Sequence, residues 1–320
     1  MGECEGYRCS ISIQSNTEGC RNKMNPFLKQ LGLAEDTRAV IIHTDDIGMC
    51  HASVQGFKDL WAFGTITSGA VMVPCPWFPA VAQMCRKNPD IDMGVHATLN
   101  AEWENYRWGP VSTRDPESGL LDADGYFNQW HQAVYDHARP EAVENEVNAQ
   151  IERALAAGID VTHVDSHMGT IMNPKFIQSY IQAAASRLLP NMLPRLDAQG
   201  MDLMGLSADE KLLYEPMMQQ FEKMGLPMVD GIHGLPLDQP NPDRQMEIAK
   251  DLLGNLPVGI THFIFHPSID TAELRSIAPD WESRVSNYNT FMSDELKKFI
   301  EGEDIKLIGY RQIREAMRKG

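Results

Sequence analysis

The segment RAVIIHTDD, residues 38–46, combines an unbroken apolar run with a polar tail that ends in two adjacent aspartates. A short apolar run of this kind is typical of a strand that is buried on both faces of a parallel sheet. The aspartates then fall at the carboxyl end of the strand, where parallel α/β folds place their active sites. This stretch therefore predicts both an α/β fold and the position of its site.

Seven further runs downstream have a strand-like apolar pattern. They are TSGAVMVP (67–74), DMGVHATLN (92–100), VTHVDSHMG (161–169), LLPNMLPRL (188–196), LPMVDGIHGL (226–235), GITHFIFHPS (259–268) and DIKLIGYRQI (304–313). Segments with helical periodicity lie between the runs, at 51–64, 79–89, 140–158, 174–188, 208–225 and 293–303. Eight strands that alternate with helices predict a single distorted (β/α) barrel, similar to a TIM barrel.

Two segments of the chain lie outside the predicted pattern of strands and helices. Residues 1–25 are polar and unpatterned, so we expect a poorly ordered N-terminal extension, with Met24 as a candidate natural start. The barrel domain then spans residues 26–320. The polar segment 101–139, rich in Gly, Asp and Trp, is expected to pass over the strand ends.

The composition excludes several classes of function. The chain carries 44 acidic and 28 basic residues and a formal net charge of −16, and a negative surface repels polyanions, so we expect no nucleic-acid partner. No run of about 20 apolar residues occurs, and the first residues lack the apolar core of an export signal. We therefore expect a cytoplasmic protein with no membrane partner.

The six cysteines fall at irregular spacings. A chain of this size can fold by burial alone, so the spacing favours reduced thiols over a disulfide lattice or a zinc ribbon. A metal or disulfide cluster of Cys4, Cys9 and Cys20 is the less favoured alternative.

Two carboxylates stand at the end of the first predicted strand, because Asp45 and Asp46 are the last residues of its polar tail. Each carboxylate at a buried strand end disfavours ionisation of the other unless a cation or hydrogen-bond donors compensate. The pair therefore indicates a cation or a set of donors at this position. A solvated turn that caps the following helix is the alternative that the pattern leaves open.

Histidines stand at the ends of two more predicted strands. His96 in DMGVHATLN is either a hydrogen-bonded core residue or a ligand. In VTHVDSHMG, His163, Asp165 and His167 occupy alternate positions, so in an extended chain they project from one face. A divalent metal with a supporting carboxylate behind its ligands would satisfy these groups, whereas a hydrogen-bonded polar ladder is the alternative.

A fourth strand end carries His266, which precedes Pro267. Polar side chains from the ends of several strands are how barrel enzymes assemble a site. A divalent ion held by two histidines and one aspartate keeps positions open for water and a substrate oxygen, so we expect hydrolysis. Asp45 fits the base that takes the proton of the water, and His266 fits the acid that protonates a leaving amine.

The order of these motifs resembles that of the YdjC-like carbohydrate deacetylases, the family of the chitooligosaccharide deacetylases. Asp45-Asp46-Ile47-Gly48 matches the family's D-D-x-G after the first strand. It is followed in family order by TITSGAVMVP, GVHATL, THVDSH and FHPS. The resemblance extends from Arg38 to the C-terminus.

The resemblance implies a distorted βα barrel that removes the acetyl group from an N-acetylated amino sugar. It implies one divalent metal ion, Mg²⁺ or Zn²⁺, held by Asp46, His96 and His167. It further implies Asp45 as the base that activates water and His266 as the candidate general acid. Family members are often dimers, so we expect a homodimer.

The chain departs from the family at two motifs. Many members read Asn-Ala-Asp-Asp where this chain has His43-Thr44-Asp45-Asp46, and their THxDSH motif continues as a histidine-rich run where Met168-Gly169-Thr170 stands here. The resemblance therefore implies the reaction class rather than a chitooligosaccharide substrate.

Candidate substrate-binding residues follow two of the motifs. Trp103, Tyr106 and Trp108 come after the His96 strand and either stack on a pyranose ring or form the small core of their own loop. Arg284 lies in IAPDWESRVSNY (277–288), which we expect to supply a substrate-facing loop. Its guanidinium pairs either with a substrate anion or with Asp280.

Two other functions compete with a deacetylase. A sugar-binding protein that keeps the metal but lacks turnover would not need Asp45 and His266, and both are present. A metal phosphoesterase would need a phosphate cradle, but no Gly-rich loop or Lys/Arg cluster lies near these motifs.

Overall fold

The computed structural model of the protein describes residues 25–195, 201 and 208–319. Residues 1–24 of the predicted extension lie outside this part of the chain, as do Cys4, Cys9 and Cys20. Asn25 is buried, and its side-chain oxygen accepts a hydrogen bond from the backbone N–H of Phe27. The first described helix therefore starts on a side-chain cap.

Seven parallel strands form one sheet within the described residues. They are β1 (Arg38–Ile47), β2 (Ser68–Val71), β3 (Met93–Ala97), β4 (Val161–Ser166), β5 (Gly231–Gly234), β6 (Gly259–Phe265) and β7 (Lys306–Leu307). The strand order is β4-β3-β2-β1-β6-β5, and β7 pairs with β1 at Ala39 and Val40. β1 lies at the centre of this order and is buried along nearly its whole length, which explains its unbroken apolar run.

The segment 188–196 was predicted as a strand, and this prediction is wrong in detail. Within its described part, Asn191 forms an isolated parallel bridge with Val164 of β4, and Pro194 forms one with Val229, just before β5. Pro190 and Pro194 have no N–H group, so this segment cannot sustain a regular ladder. The two bridges nevertheless join β4 to β5 and close the ring, which confirms the distorted barrel.

The segment 304–313 was also predicted as a strand, but only Lys306–Leu307 is extended. A helix begins at Tyr310, because Gly309 caps it and donates its backbone N–H to Oε1 of Gln312. The side chains of Tyr310 and Ile313 are both buried. They are three positions apart and therefore lie on one face of the helix, whereas in a strand they would point to opposite faces.

Helices alternate with the strands as predicted. The helices are α1 (Pro26–Gln30), α2 (His51–Phe63), α3 (Phe78–Lys87), α4 (His131–His137), α5 (Pro140–Ala156), α6 (Ile177–Ala185), α7 (Ala208–Lys223), α8 (Pro242–Gly254), α9 (Ala272–Ile277), α10 (Trp281–Phe291), α11 (Asp294–Gly302) and α12 (Tyr310–Met317). The six predicted helical segments correspond to α2, α3, α5, α6, α7 and α11. The segment 277–288 was expected to form a loop, but most of it is helix α10. Within the described residues, no helix has both the length and the apolar character needed to cross a membrane.

The side chains of β1 divide between two apolar clusters. Val40 and Ile42 belong to the larger cluster, which also contains Phe57 of α2. Ala39 and Ile41 belong to a smaller cluster that includes Phe27 of α1. Since strand side chains alternate between faces, His43 and Asp45 continue along the face of Ala39 and Ile41, towards the carboxyl ends of the strands.

Candidate metal centre and active site

The carboxyl end of β1 is irregular where the two aspartates stand. The register between β1 and β2 shifts between Thr44 and Ile47. Asp46 has a φ of 59°, in the left-handed region that non-glycine residues adopt at a cost of about 1 kcal/mol. Strict alternation is thereby broken, and the carboxylates of Asp45 and Asp46 are both buried at this end of the strand.

Three predicted ligands come together at this point. Oδ1 of Asp46 lies 3.1 Å from Nδ1 of His167 and 3.5 Å from Nε2 of His96. Each residue offers a ligand atom within 4.8 Å of the other two, and all three side chains are buried. Two imidazoles and one carboxylate are a donor set that suits a divalent cation, so the residues present fit the metal that the motifs imply.

Each histidine of this trio is held by a second carboxylate. Nδ1 of His96 lies 2.8 Å from Oδ1 of Asp165, and Nε2 of His167 lies 3.0 Å from Oε2 of Glu102. Partners of this kind fix the orientation of metal-binding imidazoles. Glu102 was not singled out from the sequence, because nothing in the residues after the His96 strand marks this carboxylate as a partner of His167.

The second carboxylates also act on the charge of the two imidazoles. Burial opposes protonation, but Asp165 and Asp45 outweigh it and raise the pKa of His96 well above its ordinary value. Burial likewise opposes protonation of His167, but Glu102 and Asp46 raise its pKa to about 9. A divalent cation would therefore have to displace protons from this centre.

Arg284 reaches the same centre from α10. Its Nη1 donates to Oδ2 of Asp46 at 2.7 Å, and its Nε donates to Oδ1 of Asp280 at 2.8 Å. Burial would raise the pKa of Asp46, but Arg284 and the hydrogen bonds from His167 and His96 hold it well below its usual value. Of the two partners left open for Arg284, Asp280 is in place, and a substrate anion stays a prediction. The contact with Asp46 is an addition that the sequence did not indicate.

Asp45 is the second carboxylate of β1 and faces other partners. Its Oδ1 lies 2.8 Å from Nδ1 of His43, and its Oδ2 lies 3.8 Å from Nε2 of both His96 and His266. Burial opposes its ionisation, but His96 and His43, together with His266, hold the pKa of Asp45 below its usual value. Asp45 is therefore ionised, which is the protonation state that a base requires, although its lowered pKa makes it a weaker base than a free carboxylate.

His266 lies directly after β6 and approaches Oδ2 of Asp45, whereas His43 approaches Oδ1. Its backbone N–H donates to Oδ1 of Asn287, whereas its buried Nδ1 has no hydrogen-bond partner within the described residues. Burial lowers the pKa of His266, although Asp46 and Asp45 oppose the shift. A lowered pKa leaves His266 mainly neutral near pH 7, so it can act as an acid only after it has taken up a proton.

The aromatic residues of the 101–139 segment pack beside the centre. The rings of Trp103 and Trp108 meet edge to face with centroids 5.7 Å apart, and Nε1 of Trp108 donates to the carbonyl of Asn100. The guanidinium of Arg284 lies 5.5 Å from the ring centroid of Trp103. The two tryptophans are only 7% and 3% exposed. They form the core of their own loop in this structure, and sugar stacking stays a prediction.

A second group of possible ligands lies close by and consists of His43, Asp45, Asp165 and His262. Its members already bond to neighbouring side chains. Nε2 of His43 lies 3.5 Å from Oδ2 of Asp165, and Nδ1 of His262 lies 3.0 Å from the hydroxyl of Tyr310. His163 and Asp165 share one face of β4, as alternation predicted, because both approach Nε2 of His43, at 3.0 and 3.5 Å. The ring of His163 also stacks on Tyr310. We therefore interpret the second group as a buried hydrogen-bond network.

Comparisons with known proteins agree with the geometry. Residues 39–302 match the family model described as YdjC-like protein. A protein of Thermus thermophilus named carbohydrate deacetylase is 31% identical over 294 residues, which cover 91% of this chain and 98% of the relative. A second protein with this name, from Thermoanaerobacter pseudethanolicus, is 25% identical over 271 residues, which cover 85% of this chain and 97% of the relative.

A solved structure supports the fold. It belongs to a protein of Enterococcus faecalis that is named for cellobiose-phosphate cleavage, and it superposes with a TM-score of 0.69 and 22% sequence identity. The match covers 87% of this chain and 99% of the solved one. Motif order, barrel architecture and the family match agree, and the chain belongs to the YdjC-like protein family.

Proposed function

We propose that the protein is a metal-dependent hydrolase that removes the acetyl group from an N-acetylated amino sugar or oligosaccharide. The observation that carries this proposal is the convergence of Asp46, His96 and His167 beside a separate buried carboxylate, Asp45. The relatives from Thermus and Thermoanaerobacter are named carbohydrate deacetylases, which supports a carbohydrate substrate and a deacetylation reaction.

Asp46, His96 and His167 would hold one divalent ion, Mg²⁺ or Zn²⁺. Two imidazoles favour Zn²⁺, whereas a site that also contains a carboxylate and open positions accepts Mg²⁺. When bound, the ion would polarise the amide carbonyl and lower the pKa of water. Asp165 and Glu102 keep the two imidazoles oriented.

The remaining side chains move protons and position the sugar. Asp45 accepts the proton of the attacking water through Oδ2, and His266 donates a proton to the nitrogen of the leaving amine. Stacking of Trp103 and Trp108 on the sugar would require a change in their loop, because the two rings are only 7% and 3% exposed. Arg284 keeps Asp46 ionised and in place through a 2.7 Å hydrogen bond.

The experiment is acetate release from N-acetylated amino sugars of one to three residues by protein loaded with Mg²⁺ or Zn²⁺. We expect Asp45→Asn to lower kcat by about 10²–10⁴-fold, the range for loss of a positioned base. Asp270→Asn is the matched control, because this carboxylate is exposed and pairs only with Arg275 in the described structure. Equal activity of Asp45→Asn and wild type would remove Asp45 from the mechanism.

Two other outcomes would point to other functions. Metal and sugar binding without turnover across the panel would favour a sugar-binding protein. Hydrolysis of phosphate esters in place of amides would favour a phosphoesterase. The expected homodimer and cytoplasmic location are part of the proposal, and sedimentation of the full chain tests the first of them.

A further inference from the structure

A chain of hydrogen bonds runs from Asp45 into the interior of the barrel. Nδ1 of His43 lies 2.8 Å from Oδ1 of Asp45, and Nε2 of His43 lies 3.0 Å from Nε2 of His163. Nδ1 of His163 lies 3.0 Å from Oγ1 of Thr162, which donates to Oδ1 of Asp92 at 2.5 Å. All five residues are buried, and Asp45 is the most exposed of them at 8%.

The far end of this chain is firmly anchored. Oδ2 of Asp92 accepts the backbone N–H of Arg311 at 2.7 Å, and Oδ1 also accepts the hydroxyl of Ser68. Burial raises the pKa of Asp92, although these donors oppose the shift. The two protonation states of this carboxyl group give the chain two possible directions.

When Asp92 is ionised, the hydrogens point towards it. The single hydroxyl hydrogen of Thr162 is donated to Asp92, so Oγ1 must accept Nδ1–H from His163. Burial and neighbouring imidazoles keep His163 neutral, with a pKa well below its ordinary value, so its Nε2 accepts Nε2–H from His43. A lone pair on Nδ1 of His43 would repel the carboxylate of Asp45 at 2.8 Å, so Nδ1 carries a hydrogen as well.

When Asp92 is protonated, donor and acceptor exchange roles in each hydrogen bond from Asp92 to His43. Asp92 donates to Thr162, Thr162 donates to Nδ1 of His163, and Nε2–H of His163 donates to Nε2 of His43. Nε2 of His43 is then an acceptor, so Nδ1 carries the hydrogen. Both directions therefore give the same result at the near end, where Nδ1–H of His43 donates to Oδ1 of Asp45.

The rings in this chain have no room to turn. His163 stacks on Tyr310 with centroids 3.8 Å apart and an angle of 15° between the planes. On the other side it lies against Gly94, where a Cβ atom would overlap the imidazole ring. His43 contacts His163 edge to face and is fully buried. Packing thus fixes the direction from which His43 meets the carboxylate.

We propose that His43 is a positioning residue that occupies Oδ1 of Asp45 and leaves Oδ2 as the basic oxygen. Oδ2 is the oxygen that lies 3.8 Å from Nε2 of both His96 and His266, between the metal ligands and the candidate acid. This inference rests on the proposed function for its kinetic consequence, but the hydrogen bond itself is independent of that function.

The kinetic test compares two substitutions at His43. His43→Asn keeps an N–H close to the position of Nδ1, whereas His43→Leu removes the donor. We expect His43→Leu to lower kcat by about 10–100-fold at unchanged KM and metal content. A base that is no longer held in position slows the chemical step but does not weaken substrate binding. His43→Asn should retain kcat within about threefold of wild type.

The matched control is His262→Asn, which alters a buried histidine of the same layer that bonds to Tyr310. It should lower the melting temperature but leave kcat within about threefold of wild type. If His43→Leu and His262→Asn lower kcat equally, the effect is general packing and the proposal is overturned. It is also overturned if His43→Leu folds, binds metal and keeps the wild-type kcat.

A spectroscopic measurement separates this inference from the proposed function. In ¹⁵N-histidine-labelled wild-type protein, we expect an exchange-protected, downfield Nδ1–H signal that is absent in His43→Asn and that shifts in Asp45→Asn. If wild type releases no acetate but shows this signal, the proposed function fails and the positioning contact stands. Absence of the protected Nδ1–H signal from folded wild type would overturn the contact whether or not acetate is released.

Discussion

Arg284 and Asp46 form a buried ion pair between α10 and the end of β1, with Nη1 of the guanidinium 2.7 Å from Oδ2 of the carboxylate. The two residues are 238 positions apart in the chain. The same guanidinium also binds Asp280, so one cation compensates two carboxylates at the edge of the metal centre. The pair leaves Oδ1 of Asp46 to face the two histidines.

The first prediction concerns this pair. Arg284→Gln leaves the buried carboxylate of Asp46 without its cation, so we expect a loss of about 3–5 kcal/mol in the free energy of unfolding of the metal-free protein. A bound divalent cation compensates the same carboxylate, so the loss should be smaller with metal. Chemical unfolding with and without chelator measures both values.

The control for this prediction is Arg275→Gln. Arg275 pairs with Asp270 on the surface, where both side chains are largely exposed, and solvent screens such a pair so that it adds little to stability. Equal losses for the two variants in metal-free protein would show that the Arg284 pair is not the buried, compensating contact described here.

The second prediction concerns the number of metal ions. Asp46, His96 and His167 offer converging ligand atoms, whereas His43, Asp165 and His262 of the second group are engaged with one another and with Tyr310. We therefore expect one tightly bound divalent ion per chain, measured by elemental analysis after dialysis. His167→Gln should remove it, and His262→Asn should retain it. A stoichiometry of two would show that the second group also holds metal.

Much of this architecture could be read from the sequence, for local reasons. The apolar run of β1 and its polar tail consist of consecutive residues, so both the strand and the position of Asp45 and Asp46 could be predicted from a local pattern. Strand-end histidines at 96 and 167 were predictable in the same way, because parallel strands bring their carboxyl ends together. The sequence therefore predicted at which edge of the sheet the site lies.

The features that were missed depend on contacts between distant residues or on backbone chemistry. Glu102 is an ordinary acidic residue until His167, 65 positions away, lies against it. His43 has no special pattern, and its role follows only from the ring of His163 beside it. Tyr310 looks like part of an apolar strand, but Gly309 starts a helix there. Periodicity reports which face is buried, and it does not report the partner on that face.

The third prediction concerns Glu102. Glu102 and Asp46 raise the pKa of His167 to about 9 in the metal-free protein, so a proton competes with the metal at neutral pH. Wild-type metal affinity should therefore rise with pH, by up to about tenfold per pH unit for each of the protons on His167 and His96, and the His167 part of this rise should end near pH 9. Glu102→Gln removes the largest charge that raises the pKa of His167, so in this variant the His167 part of the rise in affinity should level off at a lower pH.

Titration calorimetry at several pH values measures this shift, and Glu104→Gln is the control. Glu104 carries the same charge two residues further along the same segment, but its side chain is exposed. Its substitution should leave the pH dependence unchanged. If Glu102→Gln and wild type level off at the same pH, Glu102 does not govern the protonation of His167.

The fourth prediction concerns acid stability far from the site, at the ion pair that joins α12 to the start of β4. Nη1 of Arg314 donates to Oδ1 of Asp160 at 2.6 Å, and Arg314 is buried whereas Asp160 is half exposed. Arg314 first, and then Arg311, hold the pKa of Asp160 below its usual value. A carboxyl group with a lowered pKa in the folded state stabilises the fold above its unfolded pKa of about 3.9, and this contribution is lost as the pH falls through the folded value.

Asp160→Asn should therefore cost stability at pH 6 and progressively less as the pH falls below about 4, because acid removes the same charge from wild type. Solvent screening at the exposed carboxylate limits the difference to about 1 kcal/mol. Urea unfolding of both proteins between pH 3 and pH 6 measures it, with the exposed carboxylate of Glu301, changed to Gln, as the control. A stability difference between Asp160→Asn and wild type that stays constant over this range would mean that the ion pair does not set the pKa of Asp160.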